Sequence, residues 1–315
     1  MKNQTKFSVA ILALMVNQAI AADANTDSEK TKGIDFERIM VTGVPKGTSV
    51  MSSSVSTSSV SLDEIEVATP RTTAEIFRLM PGVRSEATGG EGNANIAVRG
   101  LPVASGGAKF LQLQEDGLPV LQFGDIAFGN ADIFLRADST VADVESIRGG
   151  SASTLASNAP GGIINLISKT GLDEEGSVTT TVGVDYDSIR TDFEFGGELN
   201  NSTYFHVGGF VRQGDGARDA GYTANKGGQI KANLTKEFDN GYVRLYFKHL
   251  DDKVISYLPM PVQGDGSSIS GFDSLSDTPH SALFTKTLSR GKNGELRTAD
   301  MRDGMSPKVD AFGFE

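Results

Sequence analysis

At 315 residues with 38% hydrophobic side chains, the chain is long enough for more than one domain, each with its own buried core. It contains no Cys and no Trp, which excludes disulfide scaffolds, thiolate metal sites and thiol nucleophiles. A net charge of −11 argues against nucleic acid as a partner and against electrostatic docking on anionic lipid.

Lys2 and Lys6 precede an apolar run from Phe7 to Val16, and Ala19-Ile20-Ala21 follows as a small-x-small cleavage site. Residues 1–21 therefore read as a secretory signal peptide, with the mature chain starting at Ala22. Beyond Val16 every apolar run is broken by charge, Gly or Pro within about ten residues, too short for a helical span. Any membrane crossing must use β-strands.

Residues 22–62 read as a flexible N-terminus and linker. Ala22 to Phe36 is polar, acidic and without period. Glu37, Arg38, Ile39, Met40 and Val41 then form a short extended island, and Val44 to Ser61 is rich in Gly, Ser, Thr and Val. Such an island suits capture by a partner through strand addition, in which backbone hydrogen bonds supply the affinity; it equally suits an edge strand of the domain that follows.

Residues 63–171 read as a compact α+β unit. Ser61 with Glu64 and Thr72 with Glu75 are capping-box patterns, the second opening a helix through Met80 with Ile76, Leu79 and Met80 on one face and Pro81-Gly82 as the stop. Ile96 to Val98 is a strand ending at Arg99-Gly100. Phe110 to Gln114 alternates ahead of an Asp116-Gly117 turn and Leu118-Pro119-Val120. From Val144 to Gly171 the pattern is strand, turn, short helix, turn and a buried strand at Ile163 to Ile167.

From residue 172 to 315 helix signals vanish and segments of about ten residues alternate in polarity. Val178, Thr180 and Val182 share one face; Phe193, Phe195 and Leu199 oppose Asp192, Glu194 and Glu198. Asn200-Asn201 turns into Thr203 to Arg212, Gln213 to Gly228 is a longer loop, and Gln229 to Phe238 and Tyr242 to Asp251 form a hairpin. Tyr186, Tyr204, Phe238 and Tyr242 near strand ends suit an interfacial aromatic girdle. A transmembrane barrel and a soluble sandwich both show this alternation, because a half-buried strand reads alike against lipid or core.

Pro81-Gly82-Val83, Ile96-Ala97-Val98-Arg99-Gly100, Glu115-Asp116-Gly117-Leu118-Pro119-Val120, Ile147-Arg148-Gly149 and Ala159-Pro160-Gly161-Gly162-Ile163-Ile164-Asn165 together resemble the plug region of TonB-dependent outer-membrane receptors, in that family's order. The resemblance covers residues 37 to about 260. It implies an α+β plug domain followed by an incomplete antiparallel transmembrane β-barrel in the outer membrane of a Gram-negative bacterium. The implied function is energised import of a scarce bulky ligand, a siderophore or a carbohydrate. Residues 37–41 occupy the place of the TonB box, which a periplasmic TonB-type energy transducer captures. Arg99 and Arg148, each followed by Gly, are assigned to locking plug against barrel. Ligand contacts are expected from plug loops, through Glu91, Asn93, Gln122, Phe123, Asp125 and Phe128. The residues after Gly171 supply five to seven strands, short of closure at about 22, and the chain ends on Phe314-Glu315, so part of a longer receptor is expected.

Gly149-Gly150-Ser151-Ala152-Ser153 approaches an esterase elbow but ends in Ser, and His206, His249 and His280 lack zinc-site spacing. No enzyme, cofactor or metal site is expected. The alternative to import is a non-transporting periplasmic plug-like binding module or a truncated gene product.

Overall fold

The computed structural model describes residues 39–40, 42, 48–49, 55–87, 90–102, 110–121, 125–126, 129–149, 156–157, 159–184, 186–216, 222–255, 257, 262–267, 269, 286–290, 293–300, 302 and 304–315. The signal-peptide reading, the short helix expected within 151–157 and the loop at 103–109 lie wholly or largely outside these residues. From Ile39 onward the chain forms one compact unit.

Strand β1 (Ile39–Met40) pairs antiparallel with β2 (Thr48–Ser49). Next come β3 (Thr57–Ser61), helix α1 (Leu62–Ala68) and helix α2 (Thr73–Phe77). Both expected caps form: the Ser61 backbone N–H donates to Glu64 Oε2 at 2.8 Å, and the Glu75 N–H donates to Thr72 Oγ1 at 3.3 Å. Helix α2 stops at Phe77, short of the expected Met80, because Pro81 disfavours helical geometry in the residue before it. The buried face is consequently Ile76, Phe77 and Met80, and Leu79 points to solvent.

Hairpin β4 (Val83–Glu86) and β5 (Asn95–Val98) follows, then β6 (Leu111–Glu115), β7 (Leu118–Pro119), the small pair β8 (Asp125–Ile126) and β9 (Gly129–Asn130), β10 (Val141–Arg148) and β11 (Gly162–Ser168). Five of these strands make one sheet in the order β3-β10-β11-β6-β7, with β11 and β6 parallel. Asp116 and Gly117 between β6 and β7 both have positive φ, 50° and 78°, the backbone that a two-residue type I′ hairpin needs. The core comprises Val60, Ile76, Phe77, Ile96, Leu113, Val144, Ile164 and Leu166 among others, drawn from α2 and from strands β3, β5, β6, β10 and β11, with the partly buried Ile65 of α1 packed against it. Strand β3 corrects the linker reading of residues 44–61: its serines mask the pattern, while Val60 buries against β10 and secures the edge.

A second sheet holds β12 (Glu175–Val182), β13 (Ser188–Asn200), β14 (Thr203–Gly214), β15 (Asn225–Phe238), β16 (Gly241–Lys253) and β19 (Lys308–Phe314), all antiparallel neighbours in that order. Between β16 and β19 lies a separate hairpin, β17 (Lys286–Arg290) with β18 (Leu296–Asp300). The strands run further than the sequence suggests: β14 and β15 take residues from both ends of the expected 213–228 loop. Among the described helices none is long and apolar enough to cross a membrane, which says nothing about strands.

The two sheets join at Gly171, whose φ is +78° and whose missing Cβ makes room for the Phe205 carbonyl oxygen. A methyl group there collides with backbone on β14, and the left-handed conformation alone costs about 1–2 kcal/mol. We therefore expect Gly171→Ala to abolish native assembly, read as loss of the heat-modifiable folded band on gels; a fully folded variant contradicts the close approach.

Candidate functional site: the interface between the two sheets

The faces of the second sheet are inverted relative to a soluble protein. Along β15, Gln229, Lys231, Asn233 and Thr235 are buried, whereas Ile230 and Leu234 are 38% and 40% exposed. The same holds on its neighbours: Phe195, Val211, Leu245 and Phe312 point outward while Glu194, His206, Lys248 and Asp252 are covered. What covers the polar face is the α+β unit. Burial of charge is tolerated only with partners, and three ion clusters supply them.

In the first cluster Arg136, fully buried after the 3-10 turn Ala131–Phe134, donates from Nε to Asp252 Oδ2 at 2.7 Å and from Nη1 to the carbonyls of Leu135 (2.7 Å) and Ile133 (2.9 Å). Arg212 on β14 reaches Asp252 Oδ1 from Nε at 2.9 Å and also pairs with Glu91. Phe210, completely buried, lies under two guanidiniums, with Arg190 Cζ 4.0 Å from its ring centre.

The second cluster centres on Glu115 at the end of β6, which pairs with Lys231 Nζ at 2.9 Å and Lys248 Nζ at 2.6 Å. Burial by itself raises this carboxyl, but the two ammonium groups outweigh burial and hold it at about 2. Next to it Lys231 donates to Ser168 Oγ at 2.7 Å, and Ser168 donates to Asp116 from Oγ at 2.8 Å and from N at 2.7 Å. A cavity of about 290 Å³ opens beside this cluster, between the β6–β7 hairpin and β15, β16 and β19.

The third cluster places Glu194 between Lys169 Nζ (2.7 Å), Ser177 Oγ (2.8 Å) and His206 Nε2 (3.2 Å), with Glu175 3.2 Å from the same ammonium. Glu175, Glu194 and His206 bring three ligand-type atoms within 4.8 Å of one another. Lys169 already sits among the carboxylates, so the arrangement is complete as an ion network.

Asp132 is buried, accepts from the Ala94 N–H at 3.0 Å and has its carboxyl pushed up to about 6 by burial, against the pull of that N–H and of Arg136. A carboxyl raised from 3.8 in the unfolded chain to about 6 in the fold binds its proton more tightly when folded, so its contribution to stability falls as pH rises from about 4 to 6. Asp132→Asn is expected to remove that fall, leaving a variant at least as stable as wild type at pH 7; urea unfolding at pH 4.5 and pH 7 checks this, and an unaltered pH slope contradicts it.

The sequence-derived sites are placed as follows. Ile39 and Met40 form β1; Glu37, Arg38 and Val41 lie outside the described residues. Arg99 donates to Ser56 Oγ, and Arg148 donates to the carbonyls of Pro81 and Thr57 (the latter at 3.0 Å), so the contacts described for both are with the α+β unit itself. The two guanidiniums flank Gly82 and Gly149, and burial together with the neighbouring Arg99 lowers the Arg148 pKa. Joining to the second sheet falls instead to Glu91, Glu115, Arg136 and Lys169. Glu91, a candidate ligand contact, is thus an interface residue engaged by Arg212 and Arg136, while Asn93 is partly buried beside it. Asp125 belongs to β8, opposite Asn130; Gln122, Phe123 and Phe128 lie outside the described residues. The signal for the missed wall residues was present as polar side chains at alternate positions of β15, Gln229, Lys231, Asn233 and Thr235, although their partners lie far away in sequence.

An α+β domain is thus seated on the polar face of a sheet whose other face is largely apolar. Residues 49–163 match the family described as TonB-dependent Receptor Plug Domain. The ferric enterobactin receptor PirA of Pseudomonas aeruginosa is 28% identical over 159 residues, 45% of this chain and 21% of that protein. Among solved structures, the ferric yersiniabactin uptake receptor FyuA of Yersinia pestis superposes with a TM-score of 0.53 at 22% identity, over 65% of this chain and 33% of that one. The ferripyoverdine receptor of Pseudomonas aeruginosa superposes with a TM-score of 0.57 at 16% identity, over 74% and 31%. Residues 49–163 are thus a plug domain of the TonB-dependent receptor type, and the solved structures share the fold. The matched stretches span 21% and 23% of the length of the curated relatives.

Proposed function

We propose that this protein is an outer-membrane receptor that imports a ferric siderophore through a plugged β-barrel, energised from the periplasm by a TonB-type transducer acting on residues 37–41. The observation that carries the membrane part is the inverted sheet: a soluble sandwich would bury Phe195, Leu234 and Leu245 and expose Lys231 and Asp252, and the reverse holds. The same observation disfavours a periplasmic plug-only module. The siderophore class rests on the 28%-identical relative, a ferric enterobactin receptor. No relative cited supports the carbohydrate option. In this reading Asn93, Gln122, Phe123, Asp125 and Phe128 remain candidate ligand contacts. Arg99 and Arg148 stay candidates for locking plug against barrel, although their described contacts are with the α+β unit.

The test is energy-dependent uptake of radio-iron presented as ferric enterobactin and as a panel of hydroxamate and mixed-ligand siderophores, in the source cells with and without this gene. Uptake lost on deletion, on proton-motive-force collapse and in an Ile39→Pro variant supports the proposal. Uptake of every siderophore unchanged by deletion overturns it.

A further inference from the structure

One row of the second sheet carries a carboxylate, an imidazole and an amide at a single level. Glu175 on β12 stands opposite Gly196 on β13, Gly196 opposite His206 on β14, and His206 opposite Asn233 on β15. Glu194 lies two residues along β13 from Gly196 and therefore on the same face. A Cβ at 196 would stand 2.6 Å from His206 Cδ2, so the glycine leaves the notch in which the imidazole lies and meets both carboxylates. Histidine spacing along the chain gives no sign of this cluster, because its groups come from neighbouring strands.

The distances are those of a ligand set. His206 Nε2 is 3.2 Å from Glu194 Oε2 and 4.0 Å from Glu175 Oε1. Two ligand atoms each about 2.0–2.2 Å from a tetrahedral zinc ion stand about 3.3–3.6 Å apart, so small side-chain movements close these three groups on an ion. A further oxygen is at hand in Asn233, which is 8% exposed. Its Nδ2 is committed to the Lys169 carbonyl at 2.6 Å, while its Oδ1 is buried with no hydrogen-bond partner among the described residues. A buried acceptor in that state carries a desolvation cost that a cation removes. His206 and Asn233 both line the cavity of about 290 Å³, which supplies an entry path.

We propose that Glu175, Glu194 and His206, with Asn233 Oδ1 completing the set, form a binding site for a divalent first-row metal ion of the zinc class. The Lys169 ammonium, 2.7 Å from Glu194 and 3.2 Å from Glu175, is the alternative occupant of the same carboxylates. Lysine and metal therefore exclude each other, and metal uptake releases from the wall a side chain that lies between β11 and Gly171. An imidazole beside carboxylates, without thiolate, suits zinc and its neighbours better than calcium or magnesium, which take oxygen ligands.

The test is Co²⁺ binding to the full chain, purified in detergent and stripped with a chelator, read from the visible bands of low-coordinate Co²⁺ and their loss when Zn²⁺ is added. One ion per chain is expected at this site. His206→Gln and Glu175→Gln are each expected to weaken binding by about a hundredfold, at or above the effect of losing a group that only supports a ligand. Glu175→Gln keeps the Lys169–Glu194 pair and so disturbs the network least. Lys169→Met keeps the aliphatic stem, removes the competing charge and is expected to tighten binding severalfold, a gain that a purely structural ion network does not predict. His249→Gln, on the solvent-facing His249–Asp310 pair, is expected to change nothing. Each variant is required to show the heat-modifiable folded band. Absence of the Co²⁺ bands in wild type overturns the site, and so do bands that survive both His206→Gln and Glu175→Gln, which mark an adventitious ion only. Unchanged or weaker binding in folded Lys169→Met overturns the exchange with the ammonium. The readout involves neither siderophore nor transport, so the metal site and the import reading fail separately.

Discussion

Asp252→Ala is expected to weaken the seating of the plug by about 3–5 kcal/mol, the cost of leaving buried charges without their partner. Arg136 is completely buried and Asp252 is the carboxylate at its Nε, 2.7 Å away; Arg212 leans on the same group. Deleting Asp252 leaves two guanidiniums sharing Glu91 in a site that water reaches poorly. Hydrogen exchange followed by mass spectrometry on peptides covering 90–102 and 129–149 measures the opening free energy. The contrast is Arg71→Ala on the solvent-facing Arg71–Glu75 pair, whose arginine is 65% exposed and whose loss should stay within about 1 kcal/mol. Equal protection in the two variants contradicts the view that ion pairs seat the plug on this wall.

Leu234→Arg is expected to destabilise the wall in a bilayer by about 2–4 kcal/mol, the range for a cation on the lipid face of a barrel near the midplane. Leu234 points outward at the centre of the sheet, opposite Leu245 on β16 and Phe205 on β14. The same substitution in water, on an exposed strand of a soluble sandwich, costs little. Folding into vesicles of phosphatidylcholine, titrated with urea, distinguishes the cases: a midpoint unchanged from wild type removes the membrane assignment of this face.

Much of the fold was legible because its signals are local. The Asp116-Gly117 pair demands positive φ at both positions and receives it, and Ser61 with Glu64 builds the cap that its spacing announces. Alternation located β13 to β16. Three things were not legible. Strand β3 is mostly Ser and Thr, and only pairing with β10 makes it a strand. Alternation gave the two faces of the wall but not which faced lipid, since that depends on what the plug covers. The interface residues are joined across long stretches of chain: Arg136 and Asp252 are 116 residues apart. Glu91 was read as a ligand group for the same reason. A carboxylate on a Gly-flanked turn looks available until Arg212, brought by another sheet, occupies it.

The central claim is that the wall lies in the membrane with its apolar face to lipid and its charged face to the plug. The most direct measurement is a nitroxide scan of single-Cys variants along residues 229–235 of β15 in native outer membranes, comparing collision with oxygen, which concentrates in lipid, and with a water-soluble nickel chelate. The account predicts oxygen maxima at 230, 232 and 234, minima at 229, 231, 233 and 235, and low chelate access throughout. Chelate access that peaks at 230 and 234 would contradict it and place that face in water.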